Sequence, residues 1–298
     1  MGGKFNSIVA VFDLARPRAF VPGPLIEPRQ LWIYVAWLSS AMITAVLILA
    51  MDFTVTASAL FVFAFPIYLI AGGMLCRRIG LHRLCSALEG LGFYYSCSLL
   101  LLFVLFPLTA ISGSYADPML SSWDQAIGFD WRTYLEICRP YTRQLVLAYN
   151  SFAWQPVLVI LVLSCLDRQF VIWRFLLALF FSASLTAAIF PFVPAQAPFE
   201  FYHITPAMFP ELIATGTRDF LPLMESVRNG ARVISPETFT GVVAFPSFHA
   251  ATAILFIWAS WNVRLLRWPI ALINAVMFAS TPVIGNHYLV DVIAGLAV

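Results

Sequence analysis

The chain has 298 residues, of which 61% are hydrophobic and 11% are charged, and its formal net charge is +2. This composition excludes an ordinary soluble domain, in which about a quarter of the residues are charged. The basic residues form no stripe with interleaved aromatic side chains, so we expect no nucleic-acid partner.

The first segment of the chain, residues 1–30, is basic and rich in proline. It contains Lys4 and three arginines, and it lacks a compact apolar stretch that ends in a small-residue cleavage site. We therefore expect a retained cytoplasmic segment followed by an uncleaved membrane anchor.

Seven apolar runs follow. They lie at about 31–50, 53–75, 88–111, 150–166, 170–192, 246–263 and 267–284. Each approaches the roughly 20 residues that a helix needs to cross a hydrocarbon core of about 30 Å. The runs are continuously apolar rather than alternating, which indicates helices and not strands. The sequence therefore predicts an all-α, polytopic membrane protein. An eighth run, from Tyr288 to Val298, is too short to cross, so it stops part-way or the protein continues.

The arginines between these runs predict the orientation. With the N-terminus inside, the short connections on the cytoplasmic side carry Arg77, Arg78, Arg83, Arg168, Arg264 and Arg267. Basic residues concentrate on that side of membrane proteins. We therefore expect seven crossings in a bacterial inner membrane, with segments 112–149 and 193–245 on the extracytoplasmic side.

These two outer segments differ from simple linkers. Segment 112–149 mixes aromatic and acidic residues, which is typical of an amphipathic helix at the interface. Segment 193–245 is rich in proline and aromatic residues and carries Arg218, Arg228 and Arg232. The chain shows no internal repeat, which argues against an inverted-repeat transporter.

His249 lies where the run at 246–263 begins, in the sequence Pro-Ser-Phe-His. Pro246 suits the first turn of a helix. The N-terminus of a helix offers unpaired amide groups and a partial positive charge to a phosphate, and Ser247 adds a hydroxyl donor. The sequence therefore predicts a phosphate-binding site here.

His287 and Asp291 are spaced i and i+4, which predicts that they share one face of the last helix. The carboxylate can accept the proton of one imidazole nitrogen and make the other nitrogen more nucleophilic. The hairpin helix at 267–284 returns the chain to the surface that carries His249. Each residue alone could be a helix cap or a solvated side chain, but an ionisable residue inside a membrane is costly and tends to be functional.

These residues resemble known motifs. Residues 246–249 resemble the Pro-Ser-x-His motif of the type 2 phosphatidic acid phosphatase superfamily. Residues 280–291 resemble its Ser-Arg-x5-His-x3-Asp motif, with Thr281 in place of the arginine. The sequence His-Tyr-x-x-Asp at 287–291 is more similar to inositol phosphorylceramide synthases and sphingomyelin synthases. A Pro-rich stretch at 190–194 is also similar to one in the former enzymes.

The resemblance implies a fold and a mechanism. It implies a six-helix core at 86–298, preceded by a helix pair at 31–85. His287 would attack phosphorus and form a phosphohistidine, Asp291 would orient it, and His249 would protonate the leaving alkoxide, without a metal or other cofactor. Water as the acceptor gives a lipid phosphatase, and a lipid or polyol hydroxyl gives a transferase. The form of the last motif favours the synthase-like branch.

Phosphoryl transfer needs positive charge beside the phosphate, and the superfamily's Lys-x6-Arg-Pro motif is missing. An Arg-x6-Arg-Pro match at 132–140 lies too far ahead of the other motifs, so we interpret it as chance. We expect Arg228 to clamp the phosphate, with Arg232 or Arg218 assisting. The alternative for these arginines is lipid-headgroup binding at the interface.

Two other functions stay open. A transporter or flippase could bind phospholipid headgroups with the same residues and transfer no phosphoryl group. A zinc site could use His249, His287 and Asp291, although the chain has no His-Glu-x-x-His signature. In each reading the bilayer and a membrane lipid are the partners, and the oligomeric state is not predicted.

Overall fold

The computed structural model describes residues 30–205, 208, 220–241 and 243–298 of the chain. Helices form almost all of its regular structure, which confirms the predicted all-α architecture with several apolar helices of membrane-spanning length. The predicted cytoplasmic segment lies outside the described residues except for Gln30, and Arg218 lies outside them as well.

Four helices form the N-terminal part of the described chain. Their bounds are Leu31–Ala50 (α1), Ala57–Phe61 (α2), Ala64–Arg78 (α3) and His82–Ala110 (α4). The helices α2 and α3 together form one candidate span of 22 residues, so the run predicted at 53–75 is a single crossing made of two pieces. The predicted division after residue 85 falls inside α4, which continues through it.

The segment predicted as one interfacial helix at 112–149 forms three short helices instead. These are Asp117–Ala126 (α5), Trp131–Cys138 (α6) and Thr142–Asn150 (α7). The Asp130 side chain caps α6, and Pro140 lies between α6 and α7, where it interrupts the helix because it has no amide proton to donate. The next helix, Gln155–Cys165 (α8), is bent by 52° relative to the preceding helical segment, Trp131–Ala153. The crossing predicted at 150–166 is thus the second half of a bent pair.

Six further α-helices follow in the part of the chain that the structure describes. They are Gln169–Ile189 (α9), Pro198–Phe201 (α10), Phe220–Arg228 (α11), Phe248–Ser260 (α12), Arg267–Ile284 (α13) and Leu289–Gly295 (α14). Five helices of the described chain, counting α2 with α3, are long and apolar enough to cross a membrane, and the bent pair makes a sixth. The remaining predicted crossing, at 246–263, corresponds to α12, whose 13 residues extend over about 20 Å.

The helix α4 lies at the centre of the bundle. Its Phe93 ring packs edge-on against Tyr34 of α1 and Trp173 of α9. A Cβ atom at Gly90 would lie 2.9 Å from the side chain of Ile160 on α8, so glycine allows the close approach of these two helices. The apolar core therefore holds α1, α8 and α9 around α4, which fixes the ends of the helices relative to one another.

A short pair of parallel strands ties two distant parts of the chain together. Thr54–Val55 (β1) follows α1 and pairs with Val233–Ile234 (β2), which follows α11. The two strands lie at the end of the bundle where α4 and α9 end and α12 begins, which we call the His287 end. The N-terminal helices therefore hold the segment around α11 over this end.

Candidate active site

The predicted pair of His287 and Asp291 is in contact, but not on one face of a helix. The helix α14 begins at Leu289, so His287 precedes it, and Asn286 before it has a left-handed backbone conformation with φ of 56°. The distance from His287 Nδ1 to Asp291 Oδ2 is 3.4 Å. The same carboxylate oxygen accepts a hydrogen bond of 2.9 Å from the amide of Tyr288. The Asp291 carboxylate therefore both caps α14 and holds the imidazole ring of His287 in place.

The contact with Asp291 leaves the other nitrogen of His287 available. His287 Nε2 lies 3.5 Å from Ser247 Oγ. His287 is 4% exposed and Asp291 is fully buried, so little water competes for the contact between them. A base held through one nitrogen and free at the other is the arrangement of an activated nucleophile.

Ser247 is the N-cap residue of α12, with extended backbone, and Pro246 precedes the helix rather than lying in its first turn. The Ser247 amide donates a hydrogen bond of 2.9 Å to the carbonyl oxygen of Asp291. A Cβ atom at Gly295 would lie 2.3 Å from the carbonyl oxygen of Ser247, so only glycine lets α14 pack this closely. The two sequence motifs are therefore joined directly through the backbone.

His249 lies in the first turn of α12 between two aromatic rings. The ring of Tyr149 stacks on it at 4.2 Å with an interplanar angle of 17°, and the ring of Phe152 lies 4.4 Å away. Tyr149 Oη lies 3.3 Å from His249 Nδ1. A tyrosine at the end of an apolar run is ordinarily an interface anchor, but Tyr149 packs directly on His249. The contact engages Nδ1 and leaves Nε2 for proton transfer.

Both histidines line one cavity of about 530 Å³. Tyr149, Asn286 and Gly285 contribute to the same wall, while Asp291 lies behind His287. A Cβ atom at Gly285 would lie 2.8 Å from the Tyr149 ring and 2.8 Å from the His287 ring. The structure thus brings the predicted acid and nucleophile together, and Gly285 is what lets the two rings approach.

Two aspartates of α5, absent from the sequence prediction, hold the loop that carries His287. Asp117 is almost fully buried and accepts a hydrogen bond of 2.9 Å from the Tyr288 hydroxyl. It also accepts two hydrogen bonds of 2.9 Å from the amides of Gln196 and Ala197. One carboxylate therefore connects three separate segments at the His287 end.

The second aspartate, Asp124, caps the start of α14. It accepts hydrogen bonds of 3.0 Å and 2.9 Å from the amides of Leu289 and Val290. Burial raises the pKa of the Asp124 carboxyl, and the two amide hydrogen bonds oppose that shift. A carboxylate at a helix N-terminus also interacts favourably with the helix dipole, so Asp124 fixes the direction in which α14 leaves the loop.

The structure does not bring the predicted arginine clamp into the cavity. Arg228 donates a hydrogen bond of 2.9 Å to the carbonyl oxygen of Gly113, and its guanidinium lies 4.3 Å from the centre of the Tyr115 ring. Arg232 donates to the carbonyl oxygen of Val227 at 2.8 Å. Neither arginine lines the cavity, and no Arg or Lys is found among its described lining residues. A clamp role would require Arg228 to leave these partners.

Arg228→Ala tests that role. From its contacts we expect this variant to lose about 1–2 kcal/mol of stability, through a lost hydrogen bond and a lost cation–π contact. We expect KM for a phosphate substrate to change less than about threefold, since that is under 1 kcal/mol of binding. Thermal unfolding in detergent and steady-state kinetics measure both. A much larger rise in KM would support the clamp.

The described residues contain no group of three or more His, Cys, Asp or Glu side chains that could hold a metal ion. The zinc alternative therefore has no ligand set within residues 30–205, 208, 220–241 and 243–298.

The position of the motif arginine is occupied by Thr281, which is buried and donates to the carbonyl oxygen of Met277 at 2.8 Å.

Comparison with known families agrees with this geometry. The sequence model of the type 2 phosphatidic acid phosphatase (PAP2) superfamily matches residues 118–298, more than half of the chain. The chain belongs to the PAP2 superfamily. The match takes in nearly all of α5 and every later helix, including both histidines and the aspartates Asp124 and Asp291, whereas Asp117 lies one residue before it.

PAP2 membership confirms the predicted superfamily and identifies the chain as a phosphatase-like protein of the membrane. The helices α1 to α4 precede the matched region. A search of curated proteins found no match, and neither did a search of solved structures. The branch of the PAP2 superfamily and the reaction are therefore inferred from the residues themselves.

Proposed function

We propose that this chain cleaves or transfers a phosphate-containing group of a membrane lipid through a phosphohistidine at His287. One observation carries the proposal: His287 and His249 face a single cavity, with Asp291 fixing the rear nitrogen of His287. The superfamily generally contains phosphatases and phosphotransferases, which agrees with this chemistry.

The geometry supports a reaction in two steps. In the first, the lone pair of His287 Nε2 attacks phosphorus, the bond from phosphorus to the leaving oxygen breaks, and His249 gives that oxygen a proton. In the second, His249 takes a proton from an acceptor hydroxyl, whose oxygen attacks the phosphohistidine and releases His287. Asp291 stabilises the positive charge on the His287 ring.

Neutral groups of the described site are placed to bind the phosphoryl oxygens. Ser247 Oγ lies beside the attacking nitrogen, and the first amides of a helix lack intrahelical partners. Those of α12 therefore offer donors to an anion next to His249. This arrangement supports the predicted phosphate-binding role of Ser247.

A lipid substrate and an extracytoplasmic site complete the proposal. The cavity reaches between α4 and α9, which are long enough to span the membrane, so a lipid can enter sideways from the bilayer. The opposite ends of these helices carry the arginines expected on the cytoplasmic side of an inner membrane. The phosphate group would then lie at the outer leaflet.

Within this reaction we favour the synthase-like branch, in which a lipid or polyol hydroxyl is the acceptor. The tyrosine of the His-Tyr-x-x-Asp sequence, Tyr288, is fully buried and bound to Asp117. The tyrosine that distinguishes this sequence from the phosphatase form of the motif therefore has a structural role, which is to bind Asp117. Thr281 supplies no charge where the phosphatase motif has arginine, which suits a singly charged phosphodiester better than a phosphate monoester, whose second pKa is about 6.

The test of the proposed function is a substrate panel. Purified protein is incubated with lipid phosphates and lipid phosphodiesters, with and without a second lipid or inositol, and free phosphate and new lipids are measured. We expect a new phosphodiester lipid when a hydroxyl is the acceptor; when water is the acceptor, a lipid phosphate gives free phosphate and a phosphodiester gives a phosphate monoester. Lipid movement across vesicles without any product, retained in His287→Ala, would favour the transporter alternative and contradict the proposal.

Tyr149→Phe removes the hydroxyl beside His249 Nδ1 and keeps the stacked ring. We expect kcat to fall about tenfold, the value of roughly one hydrogen bond to a charged group, with little change in KM. Tyr141→Phe is the matched control, because Tyr141 is exposed. Equal kinetics for the two variants would exclude a role of the hydroxyl in positioning His249.

Metal removal separates histidine chemistry from the zinc alternative. We expect full activity after dialysis against a strong chelator, and inhibition by vanadate because transition-state analogues bind more tightly than substrates. The measurement is turnover of the best substrate of the panel before and after chelation. Activity that is lost on chelation and restored by zinc would contradict the phosphohistidine mechanism.

A further inference from the structure

The cavity extends far beyond the two histidines, into the span of the bundle. Its lining residues on α4 run from Leu105 to Tyr94, and those on α9 run from Ala187 to Leu176. Each stretch covers 12 residues, whose ends lie about 16 Å apart along a helix. This depth is about half of a hydrocarbon core of roughly 30 Å, or the thickness of one leaflet.

The walls of this deep part, which we call the trough, are mostly apolar. They are formed by residues of α4, α9 and α12, among them Leu101, Leu105, Leu179, Phe180, Phe248 and Phe256. Its α9 wall also has small residues, since Ala183, Ser184 and Ala187 line it. Ser184 is exposed, so the trough can be reached from the surrounding lipid.

We infer that the trough binds one hydrocarbon chain of the substrate lipid, and that Tyr94 and Leu176 at its inner end limit the length of that chain. The inference rests on the proposed function. Three observations carry it: continuity with the two histidines, a depth of one leaflet, and apolar walls. A volume of about 530 Å³ is that of a single small-ligand pocket, so the second chain of a two-chain lipid stays in the bilayer.

The trough must select chains by shape. A chain in the bilayer is already in an apolar environment, so its transfer into an apolar cavity gains little from the hydrophobic effect. Discrimination comes instead from overpacking, because a chain that is too long must bend or displace side chains. The small side chain of Ala183, four residues deeper on α9 than Ala187, is where the trough is most easily closed.

The experiment compares Ala183→Phe with Ala188→Phe. Ala183 is half-buried and lines the trough, whereas Ala188 is exposed on the same helix and does not line it. The substrates are a lipid of the active class with chains of about four carbons and the same lipid with chains of about sixteen, chosen to end above Ala183, which lies about 6 Å below Ala187, or to extend past it. For Ala183→Phe we expect the ratio of kcat/KM for long over short chains to fall about tenfold or more, and for Ala188→Phe we expect the wild-type ratio.

A second variant protects the test against misfolding. Tyr94→Ala opens the inner end of the trough. For a chain longer than the wild-type optimum, we expect this variant to raise kcat/KM relative to that of the short chain. Unchanged ratios in both Ala183→Phe and Tyr94→Ala, with wild-type turnover of the short lipid, would overturn the inference. If the wild type turns over neither lipid, the proposed function fails instead.

Photolabelling tests whether a lipid chain occupies the trough, and it does not depend on turnover. A lipid phosphate with a diazirine at the end of one long chain is added to His287→Ala in vesicles. We expect adducts at the inner end of the trough, near Tyr94 and Leu176, that Ala183→Phe suppresses and Ala188→Phe keeps. Adducts on the lipid-facing surface alone would contradict the inference.

Discussion

His287→Ala is expected to lower turnover by about 10³-fold or more, the scale of loss when a nucleophile is removed from a covalent mechanism. Alanine leaves the fold of the loop intact, because Asp291 still accepts the amide of Tyr288. The measurement is kcat for the best lipid substrate. His82→Ala serves as the control, since His82 is exposed at the start of α4, far from the cavity.

His249→Ala gives a sharper comparison with that variant. His249 protonates the leaving oxygen, so its loss should matter least for a leaving group that needs no proton, such as nitrophenolate. We expect this variant to retain most of the rate of nitrophenolate release in the first turnover, before the second step needs His249 as a base, while His287→Ala releases none. Equal losses of the two variants on the aryl phosphate would contradict the assigned roles.

Asp117→Ala is expected to cost about 3 kcal/mol or more of stability and most of the activity. The substitution leaves the Tyr288 hydroxyl and the amides of Gln196 and Ala197 without their shared acceptor, and each buried unsatisfied donor costs about 1–3 kcal/mol. The free energy of unfolding in detergent and the turnover rate are measured on the same sample.

Asp130→Ala is the matched control for that prediction. Asp130 is an exposed N-cap residue of the same surface segment and accepts a hydrogen bond from the Thr133 amide. Its loss should cost about 1 kcal/mol, the usual value of an N-cap, with activity retained. Equal stability losses in the two variants would show that Asp117 does not connect the segments of the site.

The sequence was sufficient to predict the parts of the protein that depend on local patterns. The long apolar runs gave the helices α1, α4, α9 and α13, because a membrane requires such runs to be helical. The two histidines were placed on one surface by counting crossings. That prediction needed no knowledge of packing, and the cavity between them agrees with it.

Contacts between distant residues could not be predicted in this way. The hydrogen bond from Tyr288 to Asp117 joins positions 171 residues apart, and the contact of His249 with Tyr149 spans 100 residues. The aspartates of α5 gave only the signal of an amphipathic segment, and Tyr149 resembled many interfacial tyrosines. Their roles come from how the bent pair and α5 fold over the His287 end.

The arginines show the limit of arguing from proximity in sequence. Arg228 and Arg232 lie just before the first motif, which made them candidates for the phosphate. The β1–β2 pair and the contact with Tyr115 instead direct their side chains towards the N-terminal helices and the segment after α4. Nearness to a motif in the sequence does not predict where a side chain points when tertiary contacts fix the loop that carries it.

The most direct test of the central claim is to trap the intermediate. Wild-type protein is mixed with a lipid substrate labelled on phosphorus, quenched within one turnover in alkali, and digested for mass spectrometry. We predict a phosphate-containing group on His287 that is stable to alkali, labile to acid and absent from His287→Ala. Turnover of the substrate with the label on another residue, or with no labelled protein, would contradict the account.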